Sequence, residues 1–421
     1  MVALLLGIMV FFLVLNFPMV IPMVAAPLAV IIFFIPNMDL AMSVQQLIAG
    51  VSSTVLLSVP MFILAADIMC AGNTTKRLLD LVETFVGHIH GGMAITTAIT
   101  CTMFGAISGS TQATVVAIGK PMRQRLLKLG YQDGASSGLI ISSAIIALLI
   151  PPSISMIMYA VVTGSSVGDL FIAGVGPGIL ILIFFAIYSY FYAKKVNIPR
   201  LKKATWEERG KAFKRAIAPL GFPIIIFAGI YSGFFSPTEA AAIAVLYALI
   251  LEMLVFRTIK IKDLHRIALS TAVVTCAVFI LVAGGQLFSW VISYAKIPQM
   301  LTSAILGVDP SAIKILVTVT IFFFIGCMFV DSLVVIIILS PIFYPLAMQA
   351  GIDPIHLGII ITLQAAIGSI SPPFGCNIFT GCAIFNRPYI DIVKGLPPYL
   401  IMLVVITAVV ILCPQLSLFL L

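Results

Sequence analysis

The sequence has very little charge. Of its 421 residues, only 9% are Asp, Glu, Lys or Arg, whereas 62% are hydrophobic. A soluble domain carries about 25% charged residues, so this composition excludes an ordinary soluble fold. Apolar runs of about 18 residues can cross the bilayer core, which is about 30 Å thick. The clearest runs, each predicted to span a membrane, are residues 55–71, 170–193, 217–235, 240–256, 268–295 and 396–421.

Other absences exclude whole classes of function. The seven cysteines form no CxxC pair, and His88 and His90 would face different sides of a helix. No phosphate loop of the GxxxxGK[ST] type occurs, so direct use of ATP is not predicted. A cluster of Asp, Glu and His at one membrane face, which a membrane-embedded lipid enzyme would need, is also missing. We therefore predict that the chain is not an enzyme.

The net charge of +8 lies almost entirely between the apolar runs. Clusters of Lys and Arg beside membrane spans mark the cytoplasmic side, so this charge does not indicate nucleic-acid binding. The longest cluster contains Trp206 and Phe213 and is expected to lie along the anionic inner leaflet. The clusters, which hold 21 of the 23 basic residues, are at 76–77, 120–128, 194–215, 257–266 and 387–394.

Two apolar segments are interrupted in their middle. Residues 91–129 begin and end among basic residues and are broken at 107–112, whereas residues 311–350 are broken at 329–332 and have no basic residue at their outer end. Irregular backbone inside a membrane is tolerated only where it is buried in protein or lines a wet cavity. We therefore predict two re-entrant helical hairpins that enter the membrane from opposite sides.

Two further spans, 135–163 and 358–385, are interrupted by Pro-Pro pairs. Together with the hairpins they repeat at an offset near 220 residues, in opposite orientations. Paired Gly/Pro breaks in an inverted repeat point to a secondary transporter. The predicted fold is an all-α polytopic membrane protein, built as an inverted repeat with two re-entrant hairpins and two discontinuous helices.

The predicted domain organisation has four parts. The N-terminal residues have no Lys or Arg before their apolar stretch and no clear cleavage site, so a cleavable signal peptide is not predicted. One kinked span and two short spans both stay open. The four parts are N-terminal membrane span or spans with an interfacial helix at 1–52, the first repeat at 53–194 with its hairpin at about 91–129, a basic cytoplasmic segment with connecting spans at 195–266, and the second repeat at 267–421 with its hairpin at about 311–350.

Interrupted helices expose carbonyl groups and partially charged helix ends at mid-membrane. Carbonyls and helix C-termini suit Na⁺, and helix N-termini suit carboxylates. We predict that the four interruptions converge on one polar chamber, with Na⁺ as its only metal ion. The candidate sodium ligands are Ser108, Gly109, Ser110, Pro151, Pro152 and Ser153 in the first repeat, and Gly326, Asp331, Gly368, Pro372 and Pro373 in the second.

Several polar residues have two interpretations. Asp331 lies in an apolar run, where a carboxylate costs at least about 2.5–3.5 kcal/mol, so a role at the site is favoured, although it can also cap the next helix. Asp67 is either a hydrogen-bonded scaffold carboxylate or a cavity residue. Glu239 is predicted to be a capping residue. Ser110 either binds an ion or bonds to backbone at a turn, and Asn377 either contacts solute or caps a helix.

Three motifs carry a resemblance to a known family over essentially the whole chain: GAISGSTQAT at 105–114, LIPPS at 149–153 and SISPPFG at 369–375. They resemble the large membrane subunit of tripartite ATP-independent periplasmic (TRAP) transporters, and most of all the sialic acid branch. The resemblance implies an elevator-type, sodium-coupled importer of a small organic acid, such as sialic acid or a dicarboxylate, in a bacterial inner membrane. It also implies two partners, a small four-helix membrane subunit encoded separately and a periplasmic substrate-binding protein.

The resemblance also implies candidate substrate contacts. The family's hairpin tips fall on residues 108–112 and 330–333, and its unwound loops fall on 151–155 and 371–377. The candidate substrate-binding residues are Ser110, Thr111, Gln112, Ser155, Ser332 and Asn377. The alternatives are a sodium:carboxylate symporter that works alone, a passive channel and a membrane-embedded lipid enzyme.

Overall fold

The computed structural model describes residues 1–15, 17–35, 38–301 and 310–421. Over these ranges the regular structure is helical, with no β-strand. Seven helical segments of the described chain are long and apolar enough to cross a membrane. They are Thr54–Ala71, Val167–Lys195, Trp206–Tyr231, Pro237–Val255, Ile261–Tyr294, Ala312–Phe329 and Ser332–Gln349.

The N-terminal part forms short helices. Its first apolar stretch forms two separate helices and not one kinked helix; Asn16, at the predicted interruption, lies outside the described residues. The helices are α1 (Val2–Val14), α2 (Val20–Phe34), α3 (Ala41–Val51), a 3₁₀ turn (Thr54–Leu57), α4 (Ser58–Ala71) and α5 (Thr74–Val86).

The first predicted hairpin and the first discontinuous helix both form. Ser110 caps α7 by accepting a hydrogen bond from the Ala113 N–H at 3.4 Å, and Ser153 caps α9 by accepting from the Met156 N–H at 3.4 Å. A new helix therefore starts directly after each interruption. The helices are α6 (Gly92–Ser108), α7 (Thr111–Lys128), α8 (Asp133–Ala144) with a 3₁₀ turn (Ile145–Leu148), α9 (Ile154–Thr163) and α10 (Val167–Lys195).

The connecting segment begins with the longest basic cluster. Residues 206–215 of this cluster form the first turns of a helix, α11 (Trp206–Tyr231). The position of the cluster along the inner leaflet stays a prediction. Glu239 forms a capping box with Ser236 at the start of α12, as predicted. The helices are α11 (Trp206–Tyr231), α12 (Pro237–Leu249) with a π-helical turn (Ile250–Val255), α13 (Ile261–Tyr294) and α14 (Ile297–Leu301).

The second hairpin and the second discontinuous helix repeat the first pair. The bonds Pro151–Pro152 and Pro372–Pro373 are both cis, and they are 221 residues apart (372 minus 151). The helices are α15 (Ala312–Phe329), α16 (Ser332–Gln349), α17 (Pro354–Gly368), α18 (Cys376–Phe385), α19 (Tyr389–Val393), α20 (Pro397–Leu412) and α21 (Gln415–Leu418).

The interrupted helices occupy the interior. The residues of α17 from Ile355 to Gly368 are all buried, and α8 is buried from Ser136 onward, whereas α13 exposes Leu269 and Val273 at its surface. The two repeats interlock, since α7 packs on α18 and α9 packs on α16. The predicted all-α fold with two hairpins and two discontinuous helices is confirmed, and it brings the four interruptions together.

Candidate functional site

A small cavity of about 130 Å³ lies where the four interruptions meet. Apolar residues from α4 and α13 complete its wall, among them Ile63, Val274 and Val278. Nothing in the sequence marked these three, because they are ordinary apolar residues in apolar helices. Seven of the predicted site residues line the cavity: Gly109, Ser110, Thr111, Gln112, Ser155, Asp331 and Ser332.

Four helices begin at this cavity. The first residues of α7, α9, α16 and α18 are Thr111, Ile154, Ser332 and Cys376, and all four line it. Each helix N-terminus has unpaired N–H groups and a partial positive charge equivalent to about half an elementary charge. The cavity therefore has four partially positive helix ends directed at one small volume, which favours a carboxylate there.

Asp331 supplies the opposite charge. Among the described residues, it is the only Asp, Glu, Lys, Arg or His that lines the cavity. Its Oδ1 accepts a hydrogen bond from the Leu333 N–H at 2.9 Å, so it is the N-cap of α16. Both interpretations of Asp331 are thus compatible, since the same residue caps the helix and faces the cavity. Its role in ion or substrate binding stays a prediction.

The lining residues are related by the repeat. Ser110 and Asp331 differ by 221 positions (331 minus 110), the same offset as the Pro-Pro pairs, and each is the N-cap of a hairpin's second helix. The same offset relates Thr111 to Ser332 and Ser155 to Cys376. The cavity therefore lies where matching positions of the two repeats face each other.

A hydrogen-bonded chain behind the cavity joins the repeats. Thr111 Oγ1 donates to Asn377 Oδ1 at 2.9 Å, and Asn377 Nδ2 donates to Ser369 Oγ at 3.2 Å. The N-cap of α18 is Gly375, and Asn377 does not line the cavity. Asn377 therefore does not cap the helix, and its amide links α7 to the second interruption. The sequence could not reveal this bond between residues 266 positions apart. Contact of Asn377 with solute stays a prediction.

Oxygen atoms cluster at the first interruption. Gly109 has a φ of +59°, and a Cβ there would lie 2.5 Å from the carbonyl oxygen of Pro152. Ser108 Oγ lies 3.2 Å from Thr114 Oγ1, and Thr114 Oγ1 donates to the carbonyl oxygen of Ser110 at 2.8 Å. This brings neutral carbonyl and hydroxyl oxygens together, the type of ligand that hard cations prefer. Thr114 was not predicted, although it follows Ser110 by one helical turn.

The second interruption is built in the same way. Gly375 is so close to the carbonyl oxygens of Ser369 and Ser371 that a Cβ would lie 2.7 Å and 2.8 Å from them. Gly368 packs directly on Cys327 of α15. Pro372 and Pro373 form the turn between these elements without lining the cavity.

The remaining predicted ligand of the second repeat lies one turn from the tip. The carbonyl oxygen of Gly326 accepts from the Val330 N–H at 3.0 Å, as that of Gly105 accepts from the Gly109 N–H at 2.9 Å. Gly326 thus closes the last turn of α15. Within the described residues no group of three or more His, Cys, Asp or Glu could hold a metal ion. Any sodium site here would therefore rely mainly on neutral oxygens.

Asp67 belongs to the scaffold. Thr271 Oγ1 of α13 donates to Asp67 Oδ2 at 2.8 Å, and Asp67 does not line the cavity. Of its two interpretations, the hydrogen-bonded scaffold carboxylate is the one that the structure shows.

The sequence of this chain is similar to those of known membrane proteins. A family model described as "Tripartite ATP-independent periplasmic transporter, DctM component" matches residues 6–416. The chain is 53% identical to the ectoine TRAP transporter large permease protein TeaC of Halomonas elongata, over 98% of this chain and 97% of that protein. It is 52% identical to the ectoine/5-hydroxyectoine large permease protein UehC of Ruegeria pomeroyi, over 98% and 96%. These names do not confirm the predicted sialic acid branch.

A solved structure shares the fold. The YdaH transporter of Alcanivorax borkumensis superposes with a TM-score of 0.65 over 89% of this chain and 87% of that one, at 14% sequence identity. At this identity the likeness concerns the fold alone.

Proposed function

The chain belongs to the DctM family of tripartite ATP-independent periplasmic transporters, and on that premise we propose that it imports a small zwitterionic solute of the ectoine class. It is a multi-pass inner-membrane transporter subunit and not an enzyme. Large permeases of this family work with a small membrane subunit and a periplasmic binding protein. For this chain we propose that both partners are separate polypeptides.

The observation that carries the proposal is the pairing of four helix N-termini with one carboxylate in one cavity. Ectoine carries a carboxylate and a cyclic amidinium group. Its carboxylate suits the helix N-termini, and its amidinium suits Asp331. A dicarboxylate would instead place two negative charges near Asp331, and no lining residue described by the structure is Lys, Arg or His to offset them.

The size of the cavity supports the same class of solute. Sites for drug-sized ligands usually enclose about 300–1,000 Å³. At about 130 Å³ this cavity suits a single small ring better than the longer, nine-carbon skeleton of a sialic acid. The names of the two relatives at 53% and 52% identity support ectoine among such solutes.

We also propose that Na⁺ is carried with the solute. The oxygens of Ser108, Ser110 and Pro152 in the first repeat, and of Ser369 and Ser371 in the second, are the candidate ligands. Since a zwitterion has no net charge, each Na⁺ moved with it adds one net charge. A membrane potential of 100 mV then supplies about 2.3 kcal/mol per ion.

An elevator movement fits the two walls of the cavity. The hairpin tips and discontinuous helices contribute all the polar lining residues, whereas α4 and α13 contribute only the apolar residues Ile63, Val274 and Val278. Apolar contacts have no preferred direction, so one wall can slide along the other without breaking hydrogen bonds. We propose that the hairpins and discontinuous helices move together past α4 and α13.

Uptake by proteoliposomes tests this function. The chain is reconstituted with its small subunit, an inward Na⁺ gradient is imposed, and labelled ectoine is added with the binding protein. We expect uptake that needs both Na⁺ and the binding protein and that excess succinate or sialic acid does not reduce. Competition by either acid would overturn the substrate class. Uptake without the binding protein would favour the symporter that works alone.

A further inference from the structure

A second and larger pocket, of about 580 Å³, opens at the other end of the interrupted helices. Its wall is formed by residues 131–135 before and at the start of α8, by the last turns of α10, and by the segment around α19 and the start of α20. These segments adjoin three of the basic clusters, which places the pocket on the cytoplasmic side. It shares no lining residue with the small cavity, and its volume is that of a small-molecule site.

One side of this pocket is aromatic. Tyr131 and Tyr192 stack with their ring centres 6.2 Å apart, and Tyr188 packs edge-on against Tyr399 at 5.3 Å. Burial raises the pKa of Tyr131 to about 12, so its phenol is neutral at physiological pH. Faces of neutral aromatic rings attract organic cations. This wall therefore suits a delocalised cation.

The opposite side combines a helix N-terminus with two ion pairs, since Asp133, Arg387, Asp391 and Lys394 all line it. The N-terminus of α8 has no side-chain cap, and Gly134 and Ala135 of its first turn line the pocket. Lys394 is 71% exposed and is paired only loosely with Asp391, at 3.9 Å. Arg387, by contrast, is held by Asp133 at 2.8 Å. Lys394 is thus the cation that can turn toward a ligand.

Ser189 provides an independent indication that something binds here. It lines the pocket, is 2% exposed, and its Oγ has no hydrogen-bond partner among the residues that the structure describes. A buried hydroxyl without a partner costs about 1–3 kcal/mol, so such a group calls for an explanation. The Oγ is enclosed in this conformation, so a polar ligand in the pocket would supply the missing partner only after the Ser189 side chain turns toward it.

We propose that this pocket is a cytoplasmic binding site for a small zwitterion that carries a carboxylate and a delocalised cation, and that its occupancy slows further import. The ligand class is that of the proposed substrate, so the identity of the ligand rests on the proposed function. A bound solute would bridge α8, α10 and the start of α20, and would resist changes in their relative positions. Import would then slow as the solute accumulates inside.

Binding is tested apart from transport. Purified Asp331→Asn protein, in which the small cavity has lost its charge, is titrated calorimetrically with ectoine. We expect binding to persist and to weaken at least tenfold when Lys394→Gln or Tyr192→Leu is added. Lys195→Gln, at the end of α10 and outside the pocket, is the matched control and should change nothing. Absence of binding in Asp331→Asn, or equal affinity in the Lys394 and Lys195 variants, would overturn the site.

Regulation is tested in proteoliposomes that contain the complete transporter and are preloaded with ectoine. We expect internal ectoine to reduce the initial uptake rate several-fold in the native chain and much less in Lys394→Gln, with equal rates when no ectoine is inside. Equal inhibition in both would overturn the regulatory role. If ectoine is not imported but binds Asp331→Asn in a Lys394-dependent way, the proposed function fails and this site stands. If anionic lipid abolishes that binding, the pocket is a lipid site and the proposal fails.

Discussion

The two hairpin tips have the same role in the backbone but different chemistry. At the first tip the chain turns through Gly109 with a positive φ, and Ser110 caps α7. At the second tip Val330 is extended, with φ −129° and ψ 154°, and Asp331 caps α16. Ser and Asp are both good N-caps, so either would satisfy the helix. Only Asp adds a full charge. The two repeats therefore have the same fold at their tips, but only the second repeat contributes a charged side chain to the cavity.

The largest effect is expected when that charge is removed. Asn is as good an N-cap as Asp, so Asp331→Asn preserves the helix start and removes only the carboxylate. We expect ectoine uptake to fall about 100-fold, since a hydrogen bond to a charged group contributes about 1.5–3 kcal/mol and each tenfold change corresponds to about 1.4 kcal/mol. Initial rates in proteoliposomes measure this.

Ser110→Asn is the matched variant in the first repeat. It also keeps a cap, and it removes no charge, so we expect a loss of less than about tenfold. Equal losses at the two tips would contradict the electrostatic difference between them. Thermal unfolding of both proteins checks that neither loss reflects misfolding.

A second comparison concerns two glycines with positive φ, one packed at the first hairpin tip and one in open space at the end of α9. Alanine at Gly109 must adopt a left-handed conformation, which costs about 1–2 kcal/mol, and its Cβ would also meet the Pro152 carbonyl oxygen. Gly164 has a similar φ of +74° with open space around it. We expect Gly109→Ala to reduce uptake about tenfold and to lower Tm more than Gly164→Ala, which has the strain alone. Equal effects would mean that the contact with Pro152 is unimportant.

The third comparison is between a side-chain hydrogen bond that joins the two repeats and one that lies within a single helix. Thr111→Val leaves Asn377 Oδ1 without its partner in a buried place, which costs about 1–3 kcal/mol. Thr102→Val removes only a hydroxyl that bonds to the Ala98 carbonyl of its own helix at 2.9 Å. We expect a several-fold loss of uptake for the first and almost none for the second. A double-mutant cycle of Thr111→Val with Asn377→Ala should show coupling; strictly additive effects would contradict the link.

Local signals in the sequence predicted the positions of the interruptions but not everything that surrounds them. Gly109, Ser110 and the Pro-Pro pairs mark breaks because their backbone requirements are local. The residues Ile63 and Val278 that close the cavity have no such signal, since an apolar side chain in an apolar helix looks the same whether it faces lipid or solute. The partner of Asn377 depends on tertiary packing. The domain boundaries and the ligand roles of the site residues stay predictions.

The sequence motifs could not predict the substrate, for a related reason. The residues that carry the family resemblance, such as Gly109, Ser110, Pro152 and Pro373, form turns, caps and close packing at the interruptions. Such residues specify where the helices are interrupted. A transporter with this fold would need the same interruptions for any solute. The charge of the cavity depends on the residues that line it at matching positions of the two repeats, above all Ser110 and Asp331. Their arrangement is visible only in the structure, where the four helix ends come together.

The smallest effect on uptake is expected for a serine N-cap that lies away from the cavity. Ser236 accepts from the Glu239 N–H at 3.3 Å and caps α12 at the surface, as Ser110 caps α7 inside. Ser236→Ala should cost about 1 kcal/mol of stability, a typical value for a lost N-cap, and should leave uptake unchanged. Thermal unfolding and initial uptake rates of Ser236→Ala and Ser110→Ala, measured side by side, test this. If both variants lost uptake equally, helix capping alone would explain the effect, and the position of Ser110 at the cavity would have no separate importance.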